Sequence, residues 1–282
     1  MDFGAHLRII RPSACTLIAA TTLIGQTLAL SGLPELTLAA KAILSSFLLT
    51  ASSFTLNDYV DYEIDLINTP LRPIPSGRMT RLEALRYGIA LGIAGVAATL
   101  LLNPVAVALG LALYALTIFY TVKAKVWGFF GNVIVALCIA SYFLFGAFAV
   151  KTYVEPFIVY ISGVCFFYVL GGEVAQSIAD AEGDKHRGVK SIPLVSGPRV
   201  AAIVTSICYA LMAVLGAYTA SLFGYEANAY SSMLVVCTIL IVFLITWPLL
   251  SKPNRESAIK TRNLVNGVAF LIIAVFIVML FA

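Results

Sequence analysis

The chain has 282 residues, of which 61% are hydrophobic and 11% charged, with a mean hydropathy of +0.97 and a formal net charge of +4. Soluble domains are roughly 45–50% apolar and about 25% charged. This chain cannot clothe itself in polar surface, which excludes a cytoplasmic enzyme, a disordered segment and a nucleic-acid binder. The positive balance needs no polyanionic partner, because multi-pass membrane proteins gather Lys and Arg on one side.

A helix crosses the hydrocarbon core with about 20 apolar residues. In chain order such stretches fall at 13–31, 36–56, 83–101, 104–122, 129–149, 154–172, 200–222, 231–250 and 263–281. The first, after Arg11, is too long for a signal-peptide core and is expected to be retained. Turn chemistry separates the stretches: Gly32 and Pro34, Asn103-Pro104, Trp127-Gly128, Glu155-Pro156 and Lys252-Pro253-Asn254. With the N-terminus placed in the cytoplasm, sixteen of the eighteen basic residues fall on the cytoplasmic side, and only Lys41 and Lys151 lie outside. The pattern predicts an all-α membrane protein: nine transmembrane helices in one bundle and one domain over 1–282, with a cytoplasmic N-terminus. Cys15, Cys138, Cys165, Cys208 and Cys237 all lie in apolar stretches, without metal-ligand spacing, and read as small buried hydrophobes.

Two cytoplasmic segments are long, 57–82 and 173–199, and both mix carboxylates with basic residues. The first opens Asn57-Asp58-Tyr59-Val60-Asp61-Tyr62-Glu63-Ile64-Asp65, and helical spacing puts Asn57, Asp61 and Asp65 on one face with Asp58 beside them. Carboxylates gathered on one face repel unless a cation sits among them. Mg²⁺ is the ion that combines carboxylates, water and phosphate oxygens. A solvated acidic helix end would carry the same residues. In the second segment Glu173, Ser177, Asp180 and Asp184 share a face, and Glu173 begins where the chain still reads as membrane-embedded.

Four predicted helices separate the motifs, so both emerge on one side. Pro75-Ser76-Gly77 and Val195-Ser196-Gly197 follow them at similar distances, an echo that suggests two related four-helix halves plus a ninth helix. The cations interleaved with the motifs are Arg72 and Arg78, Lys123 and Lys125, then Lys185, Arg187 and Lys190. Arg clamps phosphate oxygens in bidentate fashion, and Lys acts as a point charge. Two carboxylate faces with such cations describe a site for a metal–diphosphate. Topology alone accounts for Arg81, Arg86 and the basic cluster at 252–262.

These residues resemble the UbiA superfamily of intramembrane prenyltransferases, through the N-D-x-x-D-x-x-x-D pattern at 57–65, the D-x-x-x-D pattern at 180–184 and Tyr120-x-x-Lys123 in the middle loop. The resemblance implies two Mg²⁺ ions holding an isoprenyl diphosphate donor, with Asn57, Asp58, Asp61, Asp65, Asp180 and Asp184 as metal ligands. It implies substrate binding by Arg72, Arg78, Lys123, Lys185, Arg187 and Lys190. Asn57–Arg78 and Glu182–Pro193 are most similar to the archaeal ether-lipid members, which move geranylgeranyl from its diphosphate to geranylgeranylglyceryl phosphate. Gly172, Gln176 and Ser177 stand where those members are expected to carry a further acidic residue and basic neighbours, so an aromatic acceptor such as 4-hydroxybenzoate stays open.

Catalysis is expected to use Asp58 or Glu173 as a base, with Tyr120 and Lys123 contributing. Cation faces are expected from Tyr114, Phe119, Tyr120, Tyr142, Phe143 and Tyr168. The prenyl tail is expected in an apolar channel open to membrane lipid. A secondary transporter would place its charges near the midplane, a CDP-alcohol phosphotransferase would carry a D-G-x-x-A-R run, and a structural membrane protein would leave two matched carboxylate faces unexplained.

Overall fold

The computed structural model describes residues 2–223, 244 and 246–281, and every regular element among them is helical. The order is α1 (Phe3–Ile9), α2 (Pro12–Leu30), α3 (Leu36–Val60), α4 (Tyr62–Asn68), α5 (Arg81–Thr99), α6 (Pro104–Val122), a 3₁₀ turn (Ala124–Trp127), α7 (Phe129–Val150), α8 (Pro156–His186), α9 (Ile192–Ser196) and α10 (Pro198–Leu222). A short helix (Trp247–Ser251) and a last one (Arg255–Phe281) follow. Seven helices among the described residues are long and apolar enough to cross a membrane. They match the first seven expected spans, and the last helix covers the expected span at 263–281. The expected span at 231–250 lies mostly outside the described residues.

Proline sits in the first turn of α2, α6, α8 and α10. There its missing N–H costs nothing and its fixed φ starts the helix. Asn103 caps α6 by accepting from Val105 and Ala106 N–H at 3.1 Å each, and its amide donates back to the Phe148 and Ala149 carbonyls of α7. Thr80 and Glu83 close a reciprocal capping box at the start of α5.

The chain sorts into two compact units, Met1–Lys125 with Ser141–Val154, and Val126–Ala140 with Glu155–Ala282. In the first, α3 is the central helix, packed on α2, α5 and α6. Its many hydroxyls are satisfied locally or across helices: Thr55 donates to the Ala51 carbonyl, Ser45 meets Thr99 at 2.6 Å, and Ser52 meets Tyr114 at 2.8 Å. In lipid each such polar group needs an internal partner.

Close approach of α2 and α7 depends on two glycines. A Cβ on Gly25 would strike the Phe143 carbonyl, and one on Gly146 would strike the Thr22 carbonyl, in each case backbone rather than a yielding side chain. Gly146→Ala is therefore expected to destabilise the protein by about 1–3 kcal/mol, the usual cost of overpacking, measured as a lowered Tm in detergent.

In the second unit α8 packs along α10 through Leu170, Val174, Ala175, Ile178 and Ala179 against Ala201, Ala202 and Cys208. Gly128, at φ +60°, lies so close to the Lys190 carbonyl that no side chain fits. The Lys190 N–H donates to the Val126 carbonyl at 3.1 Å, tying the 3₁₀ turn to the chain after α8.

Helix α1 is absent from the sequence-based expectation. It is only seven residues long, started by Asp2, whose side chain accepts from Ala5 N–H at 3.1 Å and pairs with Arg78 at 2.8 Å. Arg78 holds the exposed Asp2 carboxyl below its usual value. A carboxyl with a depressed folded pKa adds stability above its unfolded pKa and loses it as pH falls through the folded one. Asp2→Asn is therefore expected to lower Tm slightly at pH 7. Thermal melts should show the difference from wild type closing below about pH 4.

Candidate active site

The first acidic motif straddles a helix break. α3 ends at Val60, Asp61 sits between helices at φ −84° and ψ 7°, and α4 starts at Tyr62. The break leaves the expected face intact, because Asp61 N–H still donates to the Asn57 carbonyl and Asp65 N–H to the Asp61 carbonyl. Asp58, Asp61 and Asp65 are each no more than 4% exposed, whereas Glu63 faces outward. Three ionised carboxylates withdrawn from water in so small a space require matching cations.

Those cations come from three separate parts of the chain. Arg11 Nη2 donates to Asp58 Oδ1 at 2.5 Å. Arg72 Nη1 donates to the same oxygen at 3.1 Å and to both oxygens of Asp65 at 2.8 and 2.7 Å. Lys125 Nζ pairs with Asp61 Oδ2, which also accepts from the Asn57 amide at 2.7 Å. Thr69 completes the set by donating to Asp65 at 2.9 Å. Burial pushes the Asp65 carboxyl above its ordinary value even with Arg72 beside it. Burial also works against the Arg72 charge, but Asp58 and Asp65 outweigh it and hold the guanidinium more strongly protonated than usual.

Arg11 is not among the site residues expected from the sequence. It holds the left-handed conformation (φ 51°, ψ 68°) at the bend between α1 and α2, and its guanidinium lies 4.6 Å over the Phe54 ring. Such a backbone is costly for a residue with a side chain. The one available hint is its place immediately before Pro12. Lys125, not Lys123, meets the first motif through Asp61, while Lys123 is exposed where α6 ends. Arg72, expected on the substrate, is paired here with Asp58 and Asp65. Arg78 stands apart from the three carboxylates, on Asp2. Tyr120 is half-buried near the end of α6.

The second motif lies on one unbroken helix. At 1.5 Å per residue the 31 residues of α8 reach about 46 Å, well beyond a hydrocarbon core of ~30 Å. Its last four turns carry Glu173, Ser177, Asp180 and Asp184 along one face. The helical spacing expected for the second motif is therefore seen, and the helix runs to His186. Glu173 and Asp180 are half-buried and Asp184 is 7% exposed. Gln176, one of the departures from expectation, donates its amide to Asp180 at 2.9 Å, and Ser177 donates to the Val174 carbonyl at 2.7 Å. Lys185 and Lys190 are exposed and Arg187 is half-buried. Of the expected aromatic faces, Tyr114 is engaged with Ser52, Tyr142 with Thr50 at 3.4 Å, and Tyr168 with the Val265 carbonyl.

The donor chemistry of both motifs, hard carboxylate oxygens with Asn57 alongside, fits a divalent ion such as Mg²⁺. Among the described residues no three His, Cys, Asp or Glu groups are arranged as a metal cluster. In motif one, Arg11, Arg72 and Lys125 are paired with the carboxylate oxygens.

Comparison with known proteins identifies the family. The model of the UbiA prenyltransferase family matches residues 18–274. The chain belongs to the UbiA prenyltransferase family. It is thus a multi-pass membrane prenyltransferase. Among its relatives, the digeranylgeranylglyceryl phosphate synthase of Thermococcus kodakarensis is 34% identical over 281 residues, covering 99% of this chain and 98% of that one. The enzyme of the same name from Pyrococcus abyssi is 36% identical over 211 residues, covering 73% of this chain and 74% of its own. A solved structure described as digeranylgeranylglyceryl phosphate synthase superposes with a TM-score of 0.75 at 26% identity, over 99% of this chain and 98% of that one. A UbiA homolog from Archaeoglobus fulgidus, solved with DMAPP and Mg²⁺, shares the fold with a TM-score of 0.71 at 21% identity, over 96% of this chain and 99% of its own.

Proposed function

We propose that the protein transfers geranylgeranyl from its diphosphate to geranylgeranylglyceryl phosphate, with Mg²⁺ bound, in archaeal ether-lipid synthesis. The observation that carries this reading is the buried Asp58–Asp61–Asp65 set matched by Arg11, Arg72 and Lys125. Such a set of anions and mobile cations can exchange partners with a metal–diphosphate at little electrostatic cost. The names of the relatives support the lipid acceptor.

In this reading Asn57, Asp58, Asp61, Asp65, Asp180 and Asp184 hold two Mg²⁺ ions, which when bound neutralise the diphosphate and make it a better leaving group. Arg72 and Lys125, released from Asp65 and Asp61, turn to the diphosphate oxygens, where negative charge develops as the allylic C–O bond breaks. Arg78, Lys123, Lys185, Arg187 and Lys190 contribute positive charge around the donor, Tyr120 lies beside it, and Asp58 or Glu173 takes the acceptor's hydroxyl proton. The distribution of the basic residues supports nine spans, a cytoplasmic N-terminus and a site facing the cytoplasm. The whole chain acts as one catalytic domain.

Purified protein supplied with radiolabelled geranylgeranyl diphosphate, Mg²⁺, geranylgeranylglyceryl phosphate and 4-hydroxybenzoate side by side is expected to label the glyceryl phosphate lipid, and EDTA is expected to abolish labelling. Label in 4-hydroxybenzoate would replace the acceptor, and Mg²⁺-independent labelling would remove the metal from the reaction.

A further inference from the structure

Away from the carboxylates, the first unit carries an open apolar groove of about 460 Å³ between α3, α5 and α6, lined by Leu56, Ile89, Ile93, Val96, Leu100 and Tyr114. Local packing explains why it exists. Gly88, Gly92 and Gly95 let α5 press onto α3, where added Cβ atoms would meet Leu56 Cδ2 at 2.8 Å, Ser52 Oγ at 2.9 Å and Leu49 Cδ2 at 2.7 Å. α6 also rests on α3 and touches α5 much less, so a furrow is left between α5 and α6. Its floor is the Tyr114 ring, whose hydroxyl is turned inward onto Ser52 Oγ at 2.8 Å, while Ser52 donates to the Gly88 carbonyl at 2.7 Å. The polar atoms of the floor are satisfied, and the groove presents carbon.

A charged residue stands one helical turn beyond the groove lining. Arg86 lies one turn before Ile89 and two turns before Ile93 on the same face of α5. It is exposed and forms no ion pair among the described residues. Its neighbour Arg81 is engaged instead, stacked 5.1 and 5.0 Å over the Tyr59 and Tyr62 rings. From Ile89 to Leu100 the face runs about 16 Å, close to half of the ~30 Å hydrocarbon thickness. A cation at the membrane boundary above an apolar furrow one leaflet deep matches a lipid with a phosphate headgroup.

We propose that this groove binds one bilayer phospholipid, with its phosphate on Arg86 and one chain lying between α5 and α6. A guanidinium recognises phosphate oxygens in bidentate fashion, and basic pockets between membrane helices are suited to lipid headgroups. The groove, at about 460 Å³, has room for one chain. The site is separate from the reaction assigned above and does not depend on it, because motif one is served by Arg11, Arg72 and Lys125.

The test uses delipidated full-length protein in detergent, titrated with phosphatidylglycerol and with a diacylglycerol of the same chains, and read by native mass spectrometry and thermal unfolding. The phospholipid is expected to bind one per chain and to raise Tm by several degrees, with the diacylglycerol and inorganic phosphate each giving far less. Arg86→Gln is expected to weaken phospholipid binding about tenfold and to erase the preference over diacylglycerol. Ala97→Phe, which fills the groove from an exposed position, is expected to abolish binding of both lipids, and Leu100→Trp to do the same from the far end. The KM for the donor diphosphate should stay within about twofold of wild type in all three variants. Equal binding of the two lipids, wild-type phospholipid binding by Arg86→Gln, or unchanged binding in both groove-filling variants would overturn the proposal. A tenfold rise in donor KM in Ala97→Phe would overturn it as well, by making the groove the donor's own channel.

Discussion

Asp61→Ala is expected to reduce prenyl transfer at least a hundredfold at saturating Mg²⁺, a loss of about 2.7 kcal/mol of transition-state stabilisation. The Asp61 side chain is 2% exposed and gathers Lys125 and the Asn57 amide onto one oxygen. Its removal takes away a proposed metal ligand and also leaves the Lys125 charge without its partner. Asp61→Asn separates the two effects: the amide keeps the shape and a hydrogen-bonding oxygen but loses the charge that a divalent ion needs. Both variants should lose transfer, with the asparagine form folding nearer to wild type by thermal unfolding. Asp180→Ala from the second motif is expected to fail to a similar extent. Activity within threefold of wild type in either alanine variant would remove that motif from the reaction.

Arg72→Met should have the largest effect on stability. Arg72 alone bridges Asp58 and Asp65, whose side chains are 3% and 5% exposed. Breaking a buried ion pair from one side costs about 3–5 kcal/mol because the remaining charge is stranded. Arg72 itself is 29% exposed and Arg11 still serves Asp58, so the lower end, ~3 kcal/mol, is the expected loss at pH 7. The loss depends on pH. Burial already raises the Asp65 carboxyl above its ordinary value, with Arg72 opposing, and without Arg72 it rises further. A carboxyl raised in the folded state favours folding at low pH and loses that contribution as pH climbs through its folded pKa. The deficit of Arg72→Met against wild type should therefore shrink as the solution is acidified from pH 7 towards pH 4. A pH-independent deficit in detergent melts would show that Asp65 is not the stranded charge. In the same variant KM for the diphosphate should rise, and an unchanged KM would leave Arg72 a structural residue only.

Much of the helical plan was legible because its causes are local. An apolar run of about 20 residues declares a span wherever it occurs, and Pro12, Pro104, Pro156 and Pro198 mark helix starts by their own covalent geometry. The acidic faces were legible for the same reason, since positions four apart on a helix share a side whatever the rest of the chain does. Asn57, Asp61 and Asp65 kept that relation even across the helix break at Asp61. The second motif was legible in the same way, and α8 carries it without a break to His186.

The sequence by itself determined that this is a multi-pass helical membrane protein with two acidic motifs of prenyltransferase type, since hydropathy, proline and i, i+4 spacing act over a few residues. The tertiary structure alone decided which cations meet which carboxylates. Arg11 reaches Asp58 across 47 residues and Lys125 reaches Asp61 across 64, while Arg78 goes to Asp2 and Lys123 to the surface. In the sequence these basic residues are interchangeable, because the positive-inside bias places all of them on the same side. Only the bend at Arg11, the packing of α3 among its neighbours and the end of α6 bring particular charges within hydrogen-bonding distance. A buried carboxylate then binds the cation that arrives there, because the alternative is an unpaired charge in a medium of low dielectric constant.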